Sequence, residues 1–171
     1  MTTNPSPRVP SPTTDSRWLP LRALVAVLVL PGNVAGVIPW LLVAHPIHFL
    51  QGAPLAAALV AFVLGMVIAG RCVADFARRG RGTLAPVDPP KKLVVEGLYR
   101  YSRNPMYVGV LLILLSEAAL CRSRTLLIYS AFVAGIFHLW TVFYEEPRLR
   151  KSFGAEYDDY CRRIGRWWTL R

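Results

Sequence analysis

Two polar clusters in an otherwise apolar chain carry the residue types that chemistry needs. The first is the run Gly97-Leu98-Tyr99-Arg100-Tyr101-Ser102-Arg103-Asn104-Pro105-Met106-Tyr107, directly before an apolar stretch. The second, Glu145-Glu146, closes the next apolar stretch. Together they place cations, aromatic rings and carboxylates at one edge of a hydrophobic slab. A site there could hold a charged cofactor against a lipophilic substrate.

Each cluster has a plain structural reading beside the chemical one. Asn is a strong helix N-cap and Pro is favoured at the first helical position, so Asn104-Pro105 starts a helix. The free N–H groups of that helix end would also attract a carboxylate or phosphate, with Arg100 and Arg103 adding charge. Those arginines could equally be lipid-headgroup contacts. Glu145 sits at the end of an apolar helix, where a carboxylate opposes the helix dipole by about 0.3–1 kcal/mol. Pro147 starts a new helix that would relieve Glu146, whereas Glu145 needs a cation: Arg100, Arg103, or a ligand ammonium or sulfonium. A structural ion pair is the alternative.

His138, Thr141 and Glu145 fall at i, i+3 and i+7, on one helix face. A histidine inside a membrane helix usually faces the bundle interior or a cavity; it could be catalytic or simply bonded to a neighbouring helix. Tyr99, Tyr101 and Tyr107 could line an adenine or sulfonium pocket, because an onium group is attracted to ring faces. An interfacial aromatic belt explains them as well. Glu117 is expected to pair with Arg122 or Arg124. His45 and His48 lack a third ligand and make a poor metal site. Cys72, Cys121 and Cys161 are far apart and form no CxxC pair, so no metal or disulfide framework is expected.

The elements that must position these residues are apolar blocks. Four stand out: about Leu19–Val43, about Pro54–Gly70 (continuing as helix to Arg78), about Pro105–Leu120 and about Leu126–Tyr144. Pro31, Gly32 and Pro39 should kink or split the first. The third is short for a full span. Residues 148–164 carry apolar or aromatic side chains at 149, 153, 157, 160 and 164, which suits an amphipathic helix on the membrane surface or over a site, with Gly154 as a break. Lys91-Lys92-Leu93-Val94-Val95 reads as a short extended piece. Trp167 and Trp168 look like interfacial anchors.

The 171 residues are 54% hydrophobic, and the apolar residues collect in blocks long enough to cross a bilayer, which argues against a soluble protein. Net charge is +10, but the charge lies between the blocks, the pattern of membrane topology rather than of a nucleic-acid groove. Residues 44–53 carry no Lys or Arg, whereas 71–103 carry eight and the chain from Glu145 onward carries seven. This alternation places both termini and the long middle loop in the cytoplasm, and predicts an even number of spans. Residues 1–18 are rich in Pro, Ser and Thr and are expected to be a disordered tail without a signal peptide, ahead of a single domain over 19–171. The expected fold is an all-α, multi-pass bundle of about four spans, the first split or intact at Pro31/Pro39, with a cytoplasmic cofactor-binding loop and a C-terminal amphipathic helix.

The two clusters resemble known motifs. Gly97-Leu98-Tyr99, followed by Arg103-Asn104-Pro105-Met106-Tyr107-Val108-Gly109, is similar to a G-x-Y-x-x-x-R-H-P-x-Y-x-G signature. Glu145-Glu146, with Leu149, Phe153-Gly154, Tyr157 and Tyr160, is similar to a second. Together they resemble the isoprenylcysteine carboxyl methyltransferase and phospholipid methyltransferase superfamily of integral membrane enzymes, over about Lys91 to Trp168. The resemblance implies S-adenosylmethionine as cofactor. It implies that Lys91, Lys92, Leu93, Val94, Tyr99, Arg103, Asn104, Pro105, Met106 and Tyr107 would wrap it, with Glu145 and Glu146 as further contacts. Asn104 stands where many members have His, so a role needing imidazole is lost. Thr141 stands where the prenylcysteine branch has a substrate-contacting Arg, which weighs against a prenylcysteine carboxylate.

The leading expectation is therefore methyl transfer from S-adenosylmethionine to a lipophilic acceptor at the cytoplasmic membrane face, with Arg103, Glu145 and His138 as catalytic candidates. Two rivals are an NADPH-dependent membrane reductase of the sterol or steroid type and a non-catalytic membrane scaffold. The sequence does not identify the acceptor. All of this requires the start of the third block and the end of the fourth to lie side by side.

Overall fold

The computed structural model describes residues 28–43, 51–75 and 93–168. Among these residues every regular element is helical and no strand occurs. A wide, π-wound segment, Leu28–Val37, runs into the short helix α1, Ile38–Leu42. Helix α2 is Ala53–Asp75, α3 is Pro105–Leu120 and α4 is Arg124–Trp140. A π-wound turn, Thr141–Glu145, carries α4 directly into α5, Glu146–Phe153, and α6 follows as Ala155–Arg163.

Local chemistry explains several boundaries. Pro105 opens α3 at a position where its missing N–H is not needed. Ser123 caps α4 by accepting from the Leu126 N–H at 3.3 Å. Gly154 takes φ +52°, a left-handed value that glycine adopts readily, and so divides α5 from α6. That break falls where the sequence places it. The first apolar block does not split at Pro39: the proline sits in the first turn of α1 and the helix winds through it.

Glycine sets how closely α2 and α3 approach. A Cβ on Gly65 would lie 2.8 Å from Ile113 Cγ1 and 2.9 Å from the Gly109 carbonyl oxygen. One on Gly109 would lie 3.0 Å from the Ala69 nitrogen. The two backbones therefore meet directly, as in membrane helix pairs that cross at small residues. Val110, Leu114 and Val133 form the core between α3 and α4, flanked by Val34, Tyr129 and Phe137. The Tyr129 hydroxyl donates to the Val34 carbonyl at 3.0 Å and ties α4 to the first segment.

Among the described residues, two helices are long and apolar enough to cross a membrane: α2 and the continuous helix Arg124–Phe153. Gly32–Leu42 and Pro105–Leu120 are shorter apolar helices. Large apolar side chains lie outward along both long helices, among them Val60, Val63 and Val67 on α2 and Ile128, Phe132 and Phe143 on the other. A soluble core helix would bury such a surface.

Some sequence expectations fall outside the described residues: the 1–18 tail, His45 and His48, the helix extension to Arg78, and Lys91 and Lys92. Leu93–Val95 lack regular structure. The expected pairing of Glu117 with Arg122 or Arg124 does not form; its Oε2 is buried without a hydrogen-bond partner among the described residues. Both arginines lie beyond the end of α3, where Arg122 turns through a left-handed φ of +47°.

Candidate functional site

The start of α3 and the end of α4 meet. Tyr107, in the first turn of α3, donates its hydroxyl to Glu145 in a short hydrogen bond, and its ring stacks on Phe137 at 4.4 Å between centroids. Beside it, Arg103 Nη1 lies 3.2 Å from Glu146 Oε1. Glu146 is 5% exposed, so this pair is held out of water. The paired acids and the arginine–tyrosine run thus lie on one edge of the helical slab.

The meeting depends on the turn between α4 and α5. Pro147 has no N–H, and its ring would clash with the carbonyl one turn back in a regular helix. The Glu146 N–H instead bonds the Thr141 carbonyl, five residues back. This wide turn sends the adjacent acids to different partners, Glu145 to Tyr107 and Glu146 to the arginines.

A third strand of chain, the end of α6 and the residues after it, closes the cluster. Arg166 donates to Glu146 through Nε at 2.6 Å and through Nη2 at 3.1 Å. The Arg166 carbonyl accepts from Ser102 Oγ at 3.3 Å and from Asn104 Nδ2 at 3.1 Å. The Arg103 N–H donates to the Gly165 carbonyl at 3.1 Å, and Arg103 Nη1 lies 2.8 Å from Cys161 Sγ. The Tyr160 hydroxyl donates to the Tyr99 carbonyl at 2.6 Å. The 99–104 loop is stitched to the C-terminal segment along its length. Burial pushes the Tyr99 and Tyr160 hydroxyls well above the ordinary phenol range, with Arg103 opposing the rise at Tyr160. Both are neutral hydrogen-bonding groups here.

Tyr157, Tyr160 and Ile164 form a second core with Leu93, Leu149 and Phe153. These are the apolar positions that the sequence assigns to an amphipathic helix. Their apolar face packs onto the protein beside the candidate site, not outward.

Most of the site residues expected from sequence converge. Val94, Tyr99 and Pro105 are buried, and Leu93, Met106 and Tyr107 are half-buried around the same edge. Asn104 lies at the helix start, but its side chain makes no cap hydrogen bond because its amide is drawn to the Arg166 carbonyl. Glu145 does not pair with Arg100 or Arg103. Arg100 lies over the Tyr101 ring on the exposed surface, 4.8 Å from its centroid, and Arg103 goes to Glu146. His138 is exposed and accepts from the Trp167 indole N–H at 3.4 Å. Its ring stacks on Trp167 at 6.0 Å between centroids, whereas Thr141 is fully buried.

Ser102, Cys161 and Arg166 belong to the cluster and were not named as site residues from sequence, and Tyr160 entered only as a motif position. A buried Glu146 demands cations, but nothing in the sequence picks Arg166 out of the seven basic residues that follow Glu145.

The donor set suits a zwitterion. One carboxylate, Glu146, lies between two guanidiniums, which leaves net positive charge. Arg103 Nε and Thr141 Oγ1 are buried with no hydrogen-bond partner among the described residues. Glu145 has a phenol rather than a cation against it. A ligand with a carboxylate and an ammonium or sulfonium complements both halves.

Two comparisons with known proteins bear on the family. The family model for phospholipid methyltransferase matches residues 53–156. A stretch of 74 residues is 34% identical to protein-S-isoprenylcysteine O-methyltransferase B of Arabidopsis thaliana. That stretch is 43% of this chain and covers 37% of that protein, so the match spans well under half of the relative.

Proposed function

Because the chain belongs to the phospholipid methyltransferase family, we propose that it is an integral membrane enzyme that transfers a methyl group from S-adenosylmethionine to a lipophilic acceptor. The observation that carries this reading is the pair of contacts joining Tyr107 to Glu145 and Arg103 to Glu146 beneath an outward apolar surface. They put a charged, water-poor cluster next to the place where a lipid-borne acceptor would arrive.

The residues divide the work. Arg103, with its spare buried Nε, and Arg166 would hold the carboxylate of the cofactor's amino-acid part. Glu145, oriented by Tyr107, would take its ammonium or a ribose hydroxyl. Tyr99 and the stretch Leu93–Val94 would close the adenine side, and Lys91 and Lys92, which lie outside the described residues, are kept as cofactor contacts on the resemblance alone. S-adenosylmethionine supplies a sulfonium-activated methyl group, whose in-line displacement needs alignment and exclusion of water more than acid–base assistance. Ser102, Asn104 and Tyr160 bind the loop to the C-terminal segment and so keep the cluster closed to water. An amine acceptor must lose a proton, and Glu145 is the carboxylate placed to take it, with His138 the second candidate. A carboxylate or thiolate acceptor needs no base.

The shorter helices, Gly32–Leu42 and Pro105–Leu120, complete a bundle of about four membrane segments. The basic residues of 71–103 and of the C-terminal part support a cytoplasmic placement of the Glu145–Glu146 edge. The apolar surface from Phe132 to Phe143 would guide the acceptor in from lipid.

Two measurements test the proposal. S-adenosylhomocysteine should raise the melting temperature of the purified protein in detergent, and NADPH should not. Membranes containing the protein, incubated with methyl-labelled S-adenosylmethionine, should yield a labelled lipid-soluble product. Stabilisation by NADPH alone, or no labelled product with every donor concentration tried, would overturn it.

A further inference from the structure

A second polar feature lies at the far end of α3. Glu117 is ten residues beyond Tyr107, about 15 Å along the helix axis. It lines a cavity of about 240 Å³ whose walls are Pro39, Trp40 and Val43 from the first helical segment and Leu126 from α4, with Cys121 beside it.

One oxygen of this half-buried side chain, Oε2, is shielded from solvent and has no hydrogen-bond partner among the described residues. Two hydroxyls on the same helices are already used: Ser116 donates to the Leu112 carbonyl at 2.6 Å, and Tyr129 to the Val34 carbonyl at 3.0 Å. A carboxylate withdrawn from water without a partner is costly, and a donor entering the cavity relieves that cost. The rest of the lining selects the donor. Trp40 is 77% exposed, so its ring is open to a ligand, and an indole face attracts cations. The walls are otherwise apolar and favour a carbon-bearing body over a hydrated metal ion.

We propose that this cavity is a second ligand site, separate from the Tyr107–Glu145 edge, that takes a primary ammonium carried on an apolar body. The ammonium donates to Glu117 and lies against Trp40, while its carbon chain contacts Pro39, Val43 and Leu126. Either an aminophospholipid headgroup or a free alkylamine presents this chemistry.

The test uses the full-length protein in detergent and follows its melting temperature. The probes are dihexanoylphosphatidylethanolamine, hexylamine and, as a control without an ammonium, dihexanoylphosphatidylglycerol. Wild-type protein should show saturable stabilisation by an ammonium probe and not by the phosphatidylglycerol. Glu117→Gln should weaken the apparent affinity about tenfold, the loss of one charge-assisted contact. Trp40→Leu, at an exposed ring that the fold does not need, should weaken it several-fold and keeps the test open if Glu117→Gln fails to fold. A response to the phospholipid alone assigns the site to a lipid headgroup, and one to hexylamine as well assigns it to amines generally; both support the proposal. No saturable response to either amine, an equal response to phosphatidylglycerol, or a response unchanged in the variants that fold overturns it.

Discussion

Tyr107 donates to Glu145 across the junction between the first turn of α3 and the π-wound turn that ends α4. The two residues are 38 positions apart, and among the described residues no cation is paired with Glu145. A phenol can share a carboxylate's charge without neutralising it. Glu145 thus keeps its negative charge available to a ligand while its position is held from a neighbouring helix. The adjacent Glu146 does the opposite, since two guanidiniums consume its charge and make it a structural anchor. Two neighbouring acids have different roles because the π-wound turn sends them to different partners.

Removing the Tyr107 hydroxyl should separate ligand binding from folding. Tyr107→Phe retains the ring stacked on Phe137 at 4.4 Å. The expected loss of stability is about 1 kcal/mol, that of one hydrogen bond. Glu145→Gln should lower affinity for S-adenosylhomocysteine about tenfold, by weakening one charge-assisted contact. The double variant should lose less than the sum, with a coupling energy of about 1–2 kcal/mol. Calorimetric titration of the four proteins measures this, and strict additivity would remove the contact from the binding mechanism.

Glu146→Gln should be the more damaging change to the fold. It leaves Arg103, whose side chain is 12% exposed, beside Arg166 without a counter-charge. Removing one partner of a buried ion pair costs about 3–5 kcal/mol. Arg166→Ala should cost about 1 kcal/mol, because that side chain is 31% exposed and Arg103 still pairs with the acid. Thermal melting in detergent ranks the two; an equal or reversed order would remove Glu146 as the anchor.

How much of this was legible in the chain follows from the distance over which each contact acts. The start of α3 is local, because Asn104-Pro105 marks it, and the observed helix begins at Pro105. The Gly154 break is local too, and the apolar positions on either side of it do share one packed face. The π-wound turn is only half local: Pro147 signals a disturbance but not its form. That wide turn separates Glu145 from Glu146, and a regular-helix reading puts both near the same cations. Arg166 was not legible at all, since its bond to Glu146 spans 20 residues and a reversal of the chain. Asn104 was legible as the N-cap residue, but the loss of its side-chain capping bond was not, because the competing carbonyl belongs to Arg166.

Stability should fall on the alkaline side, and Tyr160 should contribute to the fall. Burial holds the Tyr160 and Tyr99 hydroxyls protonated in the folded protein well above the ordinary value of 10.0. Unfolded tyrosines ionise as pH passes that value, so the unfolded state sheds protons first and stability declines as pH rises above it. Tyr160→Phe removes one of these linked protons along with the 2.6 Å bond to the Tyr99 carbonyl. It should be about 1 kcal/mol less stable at neutral pH and show a shallower alkaline slope. Melting curves between neutrality and strongly alkaline pH test both; a slope as steep as wild type would mean that the buried phenol is not linked to folding.

The glycines on α2, α3 and α4 provide an internal control on packing. A methyl group on Gly65 has no room, since it would meet Ile113 Cγ1 at 2.8 Å and the backbone of Gly109 at 2.9 Å. The Gly109 oxygen cannot rotate away as a side chain could, so the helices must separate. Gly65→Ala should therefore destabilise by about 1–3 kcal/mol, the usual cost of overpacking. Because α3 carries Tyr107 two residues before Gly109, the same shift should also weaken S-adenosylhomocysteine binding. Gly135 on α4 has nothing within 4 Å of the place a methyl group would take, so Gly135→Ala adds only helix propensity and should be neutral or stabilising by about 0.5–1 kcal/mol. Opposite signs for these two identical substitutions, read as melting temperatures in one detergent, would establish that the α2–α3 crossing fixes the position of the site. Matching signs would mean that α3 is positioned by something other than this close approach.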